Sequence, residues 1–331
     1  MGLLLVADIG GTNARFGLVE QVENTGKPIY TTSQQITLQC ANYRDMASMV
    51  KACCTEFKID IPKYACLAIA GPIEHGVARI TNLKWEFSIS ELRDQLGMKT
   101  LHVINDFAAL AYAVPFLSNE ETKVLYAADP NPKAPIVVMG PGTGFGMAIL
   151  VPEEDGSWEI IPTEGGHASF APTNEKELAI KSFLLKQQSH VSVENILSGA
   201  GLVNLYRALA HIAGVEAKPY TPADVSTKGL ANEDAICREA VVTFCNTLGA
   251  VAGDKAVSTG ARGGVVIGGG ITPKLMGILG ETDFEERYKN KGPMKDFVRD
   301  IPIKVIVNDK AALVGSAAWL IHKTRELKPA N

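Results

Sequence analysis

Short apolar runs recur along the chain, and three of them end at clusters of glycine. These three runs lie at residues 3–7, 135–139 and 264–267. Further runs of similar length lie at residues 64–70, 101–104 and 301–307. Apolar runs of about four to eight residues that end at turn residues are typical of buried β-strands. The pattern therefore predicts a strand at each of these positions.

The first two glycine clusters are each followed by a second strand-like run, at residues 16–19 and 147–151. A strand, a glycine-rich loop and another strand predict a β-hairpin, because glycine allows the chain to reverse within a few residues. The same arrangement occurs twice, about 130 positions apart. We interpret it as a weak internal repeat, which indicates two related halves.

Helix-start signals separate the strand-like runs. They stand at Asn105-Asp106, Asn174, Asn232 and Thr272-Pro273. Asn and Asp cap helices well, and proline is favoured at the first helical position. Pro115 ends the first predicted helix, the second reaches about residue 188, and the third continues with apolar residues near a 3.6-residue period. Strands that alternate with helices predict an α/β fold.

The composition fits about two domains with a substantial core. The 331 residues are 46% hydrophobic and 21% charged, which is usual for globular proteins. The net charge of −4 and the lack of a Lys/Arg block disfavour binding to nucleic acid or to an anionic membrane. The six cysteines form no C-x-x-C pattern, and no run approaches 18 apolar residues. We therefore expect a soluble, cytoplasmic protein without a membrane span.

The first glycine loop carries residues suited to phosphate. They are Asp8, Gly10, Gly11, Thr12, Asn13 and Arg15. Consecutive N–H groups in such a turn form an anion-binding concavity, to which Thr12 and Asn13 add donors and Arg15 adds positive charge. Asp8 suits a hydrated Mg²⁺ that bridges phosphates. The alternative is a tight hairpin that binds nothing, and a second loop of the same design weighs against it: Gly142, Thr143 and Gly144.

Two other phosphate-binding motifs are absent from the sequence. The only Gly-Lys pair, Gly26-Lys27, precedes Pro28, so there is no P-loop signature. Phe145 and Met147 occupy the positions at which a G-x-G-x-x-G motif needs its last glycine. The P-loop and dinucleotide-binding classes are therefore disfavoured.

Asp106, Glu164 and His167 offer chemistry for a substrate with hydroxyl groups. Asp106 follows a predicted strand and precedes a helix, where a carboxylate can accept the proton of a hydroxyl that attacks a γ-phosphate. The alternative for Asp106 is a helix cap. Glu164 and His167 combine an acceptor with a donor, and the glycines between them allow a small polar ligand to approach the backbone. One alternative is that Glu164 and His167, as an E-x-x-H motif on a helix, form half of a two-metal site, but the two glycines between them disfavour a helix. The other alternative is that both are isolated surface residues.

The third glycine cluster precedes a predicted helix start and consists of Gly268, Gly269 and Gly270. Because glycine has no side chain, such a cluster allows a flat adenine ring to approach the backbone. The alternative is a turn that packs the following helix.

These motifs together resemble one superfamily. The segment Asp8-x-Gly-Gly-Thr-Asn-x-Arg15, with the clusters at 140–146 and 268–270, is similar to the loops of the sugar kinase/Hsc70/actin superfamily. The closer resemblance is to bacterial-type glucokinases outside the ROK group. It extends over almost the whole chain through segments in that family's order, at 104–107, 164–167, 197–207 and 268–271.

The resemblance implies a fold and an activity. The fold is a two-lobed ribonuclease H-like fold, as in actin-like ATPases and hexokinases, with a cleft between the lobes. A small α/β domain would comprise residues 1–113 and 310–331, a large α/β domain would comprise residues 114–309, and the protein would form a homodimer. The activity is phosphorylation of D-glucose by ATP with Mg²⁺ to glucose 6-phosphate, the entry step of glycolysis.

The resemblance also implies roles for particular residues. Asp106 would be the general base, and Asp8 would orient Mg²⁺ through water. The two Gly/Thr loops would hold the phosphates of ATP, and the cluster at 268–270 would lie at the adenosine. The residues that would bind glucose are Asn105, Asp106, Glu164, His167 and Glu194.

The sequence leaves other functions open. A kinase for fructose, mannose or an amino sugar is one, although the chain lacks the cysteine-rich zinc motif that ROK kinases carry downstream of the Glu/His segment. A non-catalytic binder of the same fold, such as a sugar-responsive repressor, would want a DNA-binding extension, whereas the first loop begins at Asp8. An actin- or chaperone-like ATPase would not need the predicted sugar-binding residues.

Overall fold

The computed structural model describes residues 3–24, 27–80, 83–324 and 327. The chain divides into two compact units, which we call unit 1 and unit 2. Unit 1 comprises Met1–Asn119 and Asn308–Asn331, and unit 2 comprises Glu120–Val307. Each unit combines a mixed β-sheet with helices, so the predicted α/β class is confirmed.

Unit 1 contains a five-stranded sheet and a small three-stranded sheet. Its strands are β1 (Leu4–Ile9), β2 (Asn13–Asn24), β3 (Lys27–Gln39), β4 (Tyr64–Ile69), β5 (Ile73–Glu74), β6 (Val77–Ile80), β7 (Trp85–Ser88) and β8 (Thr100–Asn105). Its first helices are α1 (Met46–Phe57), α2 (Ile89–Leu96) and α3 (Asp106–Ala113). The larger sheet has the order β3-β2-β1-β4-β8, and the smaller has the order β5-β6-β7.

The direction of the strands brings several loops of unit 1 to one edge of the larger sheet. β1 and β2 form an antiparallel hairpin, and β1, β4 and β8 run parallel to one another. The carboxyl ends of β1 and β8 therefore lie at the same edge, two strand positions apart, or about 10 Å between backbones. The first glycine loop follows β1 at this edge, and α3 begins directly after β8.

Unit 2 contains a six-stranded sheet and seven α-helices among the described residues. The strands are β9 (Thr122–Tyr126), β10 (Ile136–Pro141), β11 (Phe145–Pro152), β12 (Trp158–Thr163), β13 (Gly264–Ile267) and β14 (Ile303–Ile306). The helices are α4 (Glu175–Leu185), α5 (Gly199–Ile212), α6 (Pro222–Leu230), α7 (Ala235–Thr259), α8 (Thr272–Leu279), α9 (Phe284–Lys289) and α10 (Lys295–Arg299).

The two units share one sheet topology. In unit 2 the order is β12-β11-β10-β13-β14, with β9 added at the far edge. The first three strands are antiparallel, and β10, β13 and β14 are parallel, as are β1, β4 and β8 in unit 1. The two predicted hairpins, β1–β2 and β10–β11, occupy equivalent positions. The internal repeat that the glycine loops indicate is therefore confirmed.

Helix α7 forms the centre of the unit 2 core. It is 25 residues long, and it is apolar enough to cross a membrane by length and composition, but 67% of its most apolar window is buried inside the protein. The helix that the sequence predicts after Asn232 is confirmed, and it begins at Ala235. Asp234 is the N-cap, and its carboxylate accepts hydrogen bonds from the N–H groups of Ile236 and Cys237. Asn232 lies in the preceding turn with φ = +56°.

The last helix, α11 (Ala311–Lys323), belongs to unit 1 and packs against α3. Small residues allow the two helices to approach closely. A Cβ built on Gly315 of α11 would lie 1.7 Å from the carbonyl oxygen of Ala109 in α3, so only glycine fits at this position. Because α3 begins at Asp106, this contact holds the helix that carries the predicted catalytic base.

Candidate active site

The first glycine loop is a tight turn between β1 and β2. The N–H of Gly10 donates to the carbonyl of Asn13 at 3.0 Å, and the carbonyl of Thr12 accepts from Cys40 N–H at 2.9 Å. The side chains of Thr12 and Asn13 are exposed. The loop is therefore fixed through its backbone, and its exposed side chains are free to meet a ligand.

Arg15 is held by a residue that sequence reasoning missed. In β2 it lies opposite Asp8 of β1. Its guanidinium donates to the backbone carbonyl of Asp309 and pairs with the Asp309 carboxylate at 3.2 Å. Asp309 is 294 positions away along the chain, and no local pattern marks it as a partner.

Asp8 is a half-buried carboxylate at the end of β1. Burial raises its pKa, and the nearby Arg15 lowers it, with a net increase above the ordinary value. Among residues 3–24, 27–80, 83–324 and 327, no three His, Cys, Asp or Glu side chains converge as a metal site. A single carboxylate fits Mg²⁺ that keeps most of its ligands as water and phosphate oxygens.

The helix-cap role that the sequence left open for Asp106 belongs to Asn105. Asn105 is the N-cap of α3, since its Oδ1 accepts from the N–H groups of Phe107 at 2.9 Å and Ala108 at 3.2 Å. This leaves the amide N–H groups of Asn105 as its donors to a ligand. Asp106 is the first residue of the helix, and its Oδ1 accepts from Phe107 N–H at 2.7 Å.

The environment of Asp106 favours its protonated form to an unusual degree. Burial raises the pKa of Asp106 to about 6, the charge of Asp8 adds to the increase, and the hydrogen bond from Phe107 N–H opposes it. A carboxyl group with a pKa near the working pH is suited to general base catalysis, because it accepts protons readily yet is ionised at neutral pH.

In unit 2, the second glycine loop connects β10 to β11, and the third cluster packs directly against it. A Cβ on Gly140 would lie 2.0 Å from the carbonyl oxygen of Gly268. Gly269 has φ = +82°, and a Cβ there would meet the carbonyl oxygen of Pro141 at 2.3 Å. By contrast, Gly142 and Gly270 have no atom within 4 Å of an added Cβ. The structure therefore brings the two clusters together, and it leaves open space at one glycine in each.

The turn from Glu164 to His167 presents two exposed side chains. Glu164 is 90% exposed and His167 is 63% exposed, and Glu164 Oε2 lies 3.9 Å from His167 Nε2. The two glycines between them serve packing, because added Cβ atoms would lie 2.2 Å from the sulfur of Met147 and from the carbonyl oxygen of Phe145 in β11. The segment forms a short 3₁₀ turn, which does not support a helical two-metal motif.

Glu194 joins this turn to the second glycine loop. Its Oε2 accepts from Phe145 N–H at 2.7 Å, and its backbone N–H donates to the carbonyl of Gly166 at 2.9 Å. Phe145 directly follows Gly144 of the loop. The family resemblance implies that Glu194 binds sugar, but it does not show this contact with the loop.

The predicted site residues thus form two sets, one in each unit. Unit 1 carries Asp8, Gly10, Gly11, Thr12, Asn13, Arg15, Asn105 and Asp106 at one edge of its sheet. Unit 2 groups Gly142, Thr143, Gly144, Glu164, His167, Glu194, Gly268, Gly269 and Gly270 around the end of β10 and the start of β11. Each set combines a glycine loop with side chains that can bind hydroxyl groups, which suits phosphoryl transfer to a sugar.

Comparisons with known proteins agree with this chemistry. A family model described as Glucokinase matches residues 5–323. The glucokinase of Chromobacterium violaceum is 43% identical over 318 residues, which cover 96% of this chain and 88% of the relative. The glucokinase of Saccharophagus degradans is 39% identical over 318 residues, which cover 96% of this chain and 97% of the relative.

Solved structures give the same result. The crystal structure of a glucokinase from an Antarctic psychrotroph matches with a TM-score of 0.88 and 38% identity, and it covers 97% of this chain and 99% of that chain. A ROK family glucokinase from Streptomyces griseus, solved with glucose and AMPPNP, shares the fold with a TM-score of 0.62 and 18% identity. The match covers 96% of this chain and 99% of that chain.

The repeated sheet topology, the paired glycine loops and these neighbours define the class of the protein as a sugar kinase with the two-lobed actin-like fold. Within that class, the family match extends over nearly the whole chain. The chain belongs to the glucokinase family, whose members are enzymes that phosphorylate glucose.

Proposed function

We propose that this enzyme transfers the γ-phosphoryl group of ATP to the 6-hydroxyl of D-glucose, and that Asp106 is the general base. The products are glucose 6-phosphate and ADP. The observation that carries the assignment is the placement of Asp106 at the start of α3, with one carboxylate oxygen held by Phe107 N–H and with its pKa raised to about 6.

Asp106 acts on the attacking hydroxyl. With Oδ1 held at 2.7 Å by Phe107 N–H, Oδ2 accepts the proton as the oxygen of glucose attacks the phosphorus. Positioned general bases contribute roughly 10²–10⁴-fold to rate. Most of the remaining acceleration in phosphoryl transfer comes from positioning and charge stabilisation.

The sugar is bound through its other hydroxyl groups. Asn105 offers its amide donors, since its carbonyl caps α3. Glu164 and His167 present exposed acceptor and donor groups, and Glu194 presents a carboxylate that is already oriented by Phe145 N–H. Each hydroxyl of a sugar both donates and accepts, so a mixture of carboxylate, amide and imidazole groups fits it.

The glycine loops bind the nucleotide. The turn at 10–13 and the loop at 142–144 hold phosphates with backbone N–H groups, and the cluster at 268–270 approaches the adenosine. Arg15, oriented by Asp309, offsets negative charge. Asp8 would hold Mg²⁺ through water, and the ion would supply positive charge that offsets the charge of the phosphates.

Several further properties belong to the same proposal. ATP as the donor is supported by the AMPPNP bound in the Streptomyces griseus relative. We propose that the protein is cytoplasmic, that it acts at the entry of glycolysis, and that it forms a homodimer. We also propose a small domain of residues 1–113 plus 310–331 and a large domain of residues 114–309. Fructose, mannose and amino sugars are the alternative substrates that an assay must exclude.

The role of Asp106 is tested by replacing it with asparagine. Asn retains an oxygen that can accept from Phe107 N–H, so the local structure is preserved. We expect Asp106→Asn to lower kcat by about 10²-fold or more, while the Kd for glucose, measured by calorimetry, changes less than fivefold. A variant with near-normal kcat would show that Asp106 is not the base.

A further inference from the structure

Glu194 stands at the end of an extended segment that runs beside the segment following the Glu164–His167 turn. Ser169 and Ser192 form an antiparallel bridge between the two segments. Three backbone hydrogen bonds of 2.9 Å join them: Phe170 N–H to Val191 O, Val193 N–H to Ala168 O, and Glu194 N–H to Gly166 O. The backbone of Glu194 is therefore fixed relative to that turn.

The carboxylate of Glu194 reaches the second glycine loop. Its Oε2 accepts from Phe145 N–H at 2.7 Å. A Cβ added to Gly144 would lie 2.5 Å from the same oxygen, closer than such atoms can approach. The carboxylate thus occupies the space that any larger residue at position 144 would fill.

Backbone hydrogen bonds also support the loop. Within it, Gly142 N–H donates to Gly144 O at 2.7 Å, and outside it Gly199 N–H donates to Gly142 O at 3.0 Å. Both bonds are formed by backbone groups. Glu194 adds a side-chain anchor at the other end of the loop, where the chain enters β11. Its Oε1 forms no hydrogen bond within the part of the chain that the structure describes.

We propose that Glu194 is a positioning residue that couples sugar binding to nucleotide binding within unit 2. Oε2 holds the phosphate-binding loop, and Oε1 accepts from a sugar hydroxyl, a contact that rests on the proposed function. A hydroxyl bound to Oε1 restrains the carboxylate and, through Oε2, the loop. Such coupling is reciprocal, so nucleotide must tighten sugar binding by the same factor as sugar tightens nucleotide binding.

The experiment uses Gly144→Ala, which displaces the carboxylate of Glu194 without changing its chemical identity. The added methyl group meets the flexible end of a side chain, so the fold is expected to persist and Glu194 to shift. Gly199→Ala is the matched control beside the same loop, because its Cβ would lie 3.7 Å from Gly142 O, an ordinary contact. The probes are glucose and Mg-AMPPNP, and calorimetry measures the Kd of each alone and in the presence of the other.

We expect glucose to lower the Kd for Mg-AMPPNP by about fivefold or more in the wild type and in Gly199→Ala. In Gly144→Ala, we expect the Kd for glucose alone to rise by about fivefold or more, and the coupling factor to fall close to one. If the methyl group added by Gly144→Ala only crowded the nucleotide, the Kd for glucose in the absence of nucleotide would stay at its wild-type value.

Glu194→Gln gives a second test that does not depend on the folding of Gly144→Ala. Its side chain has a single acceptor oxygen, which can serve Phe145 N–H or a sugar hydroxyl but not both equally, so the coupling factor should again approach one. Wild-type coupling in either variant would overturn the inference. The proposed function fails in a different way, namely if the wild type releases no ADP in response to any sugar.

Discussion

At the scale of single residues, Asp106 shows how a binding site works against the stability of the fold. Its carboxyl group is placed where burial and the charge of Asp8 both disfavour ionisation. Hydrogen bonds from backbone N–H groups, chiefly that of Phe107, offset only part of this cost. The result is a carboxylate, and a candidate base, whose proton affinity is higher than that of an exposed aspartate.

The first prediction at this scale concerns the pH dependence of turnover. The base must be ionised to accept a proton, and its pKa is raised to about 6. We expect kcat/KM for glucose to fall about tenfold per pH unit below pH 6 and to be level above about pH 7. Asp106→Asn is the control, because its side chain does not titrate. An acid limb that persists unchanged in the residual activity of Asp106→Asn would show that Asp106 is not the titrating group.

The second prediction concerns stability. Because the pKa of Asp106 rises from 3.8 to about 6 on folding, the folded protein binds this proton more tightly than the unfolded chain. The free energy of unfolding therefore falls as the pH rises from about 4 to about 6, and the loss persists at higher pH. Two pKa units correspond to about 3 kcal/mol. Asp106→Asn removes this cost.

We therefore expect Asp106→Asn to raise the Tm of the unliganded enzyme at pH 7.5 by about 2 °C or more, and the gain to shrink as the pH is lowered through 6. Asp60→Asn is the control, since Asp60 is an exposed aspartate of the same unit. Differential scanning calorimetry at pH 7.5 and pH 5 measures both. A Tm for Asp106→Asn below that of the wild type at pH 7.5 would contradict the account.

At the scale of elements, the glycines divide into those that packing requires and those that it does not. Gly140 and Gly269 allow two loops to touch, and Gly315 allows α11 to touch α3. Gly142 and Gly270 have open space around them. Open space at a glycine in a loop that folds without strain is what a ligand approaching the backbone would use.

The contact between α3 and α11 gives the prediction at this scale. A Cβ at Gly315 would lie 1.7 Å from Ala109 O, so Gly315→Ala must push the helices apart. We expect it to lower the free energy of unfolding by about 1–3 kcal/mol, and to lower kcat, because Asp106 begins α3. Gly277→Ala in α8 has no atom within 4 Å and should instead stabilise the protein by up to about 1 kcal/mol. Denaturant unfolding measures the free energy of unfolding of both variants. Equal values for Gly315→Ala and Gly277→Ala would show that Gly315 is not required for the packing of α11 against α3.

The sequence predicts the elements well where the signal is local. The hairpins follow from a strand, a glycine loop and a strand, and the cap of α3 follows from Asn105. The start of α7 is less accurate, because Asn232 and Asp234 are both good caps and only the tertiary structure selects Asp234. The partners of Arg15 and Glu194 could not be predicted, since Asp309 and Phe145 N–H come from distant positions that no spacing rule connects.

At the scale of the whole molecule, the chain is built from two units with one topology and different roles. Each unit places a glycine loop in its first hairpin. Unit 1 adds the candidate base, and unit 2 adds the exposed turn with Glu164 and His167. The weak repeat in the sequence was enough to indicate the repeated topology, because both hairpin loops contain glycines, which allow the chain to reverse.

The central claim is that the enzyme transfers phosphoryl groups from ATP to glucose. The most direct test is a coupled assay for ADP release with MgATP, run without sugar and then with glucose, mannose, fructose and N-acetylglucosamine. We predict turnover that depends on glucose, with glucose 6-phosphate as the product, and little ADP release without sugar. ADP release that is indifferent to sugar, or no release with any of the four, would contradict the account.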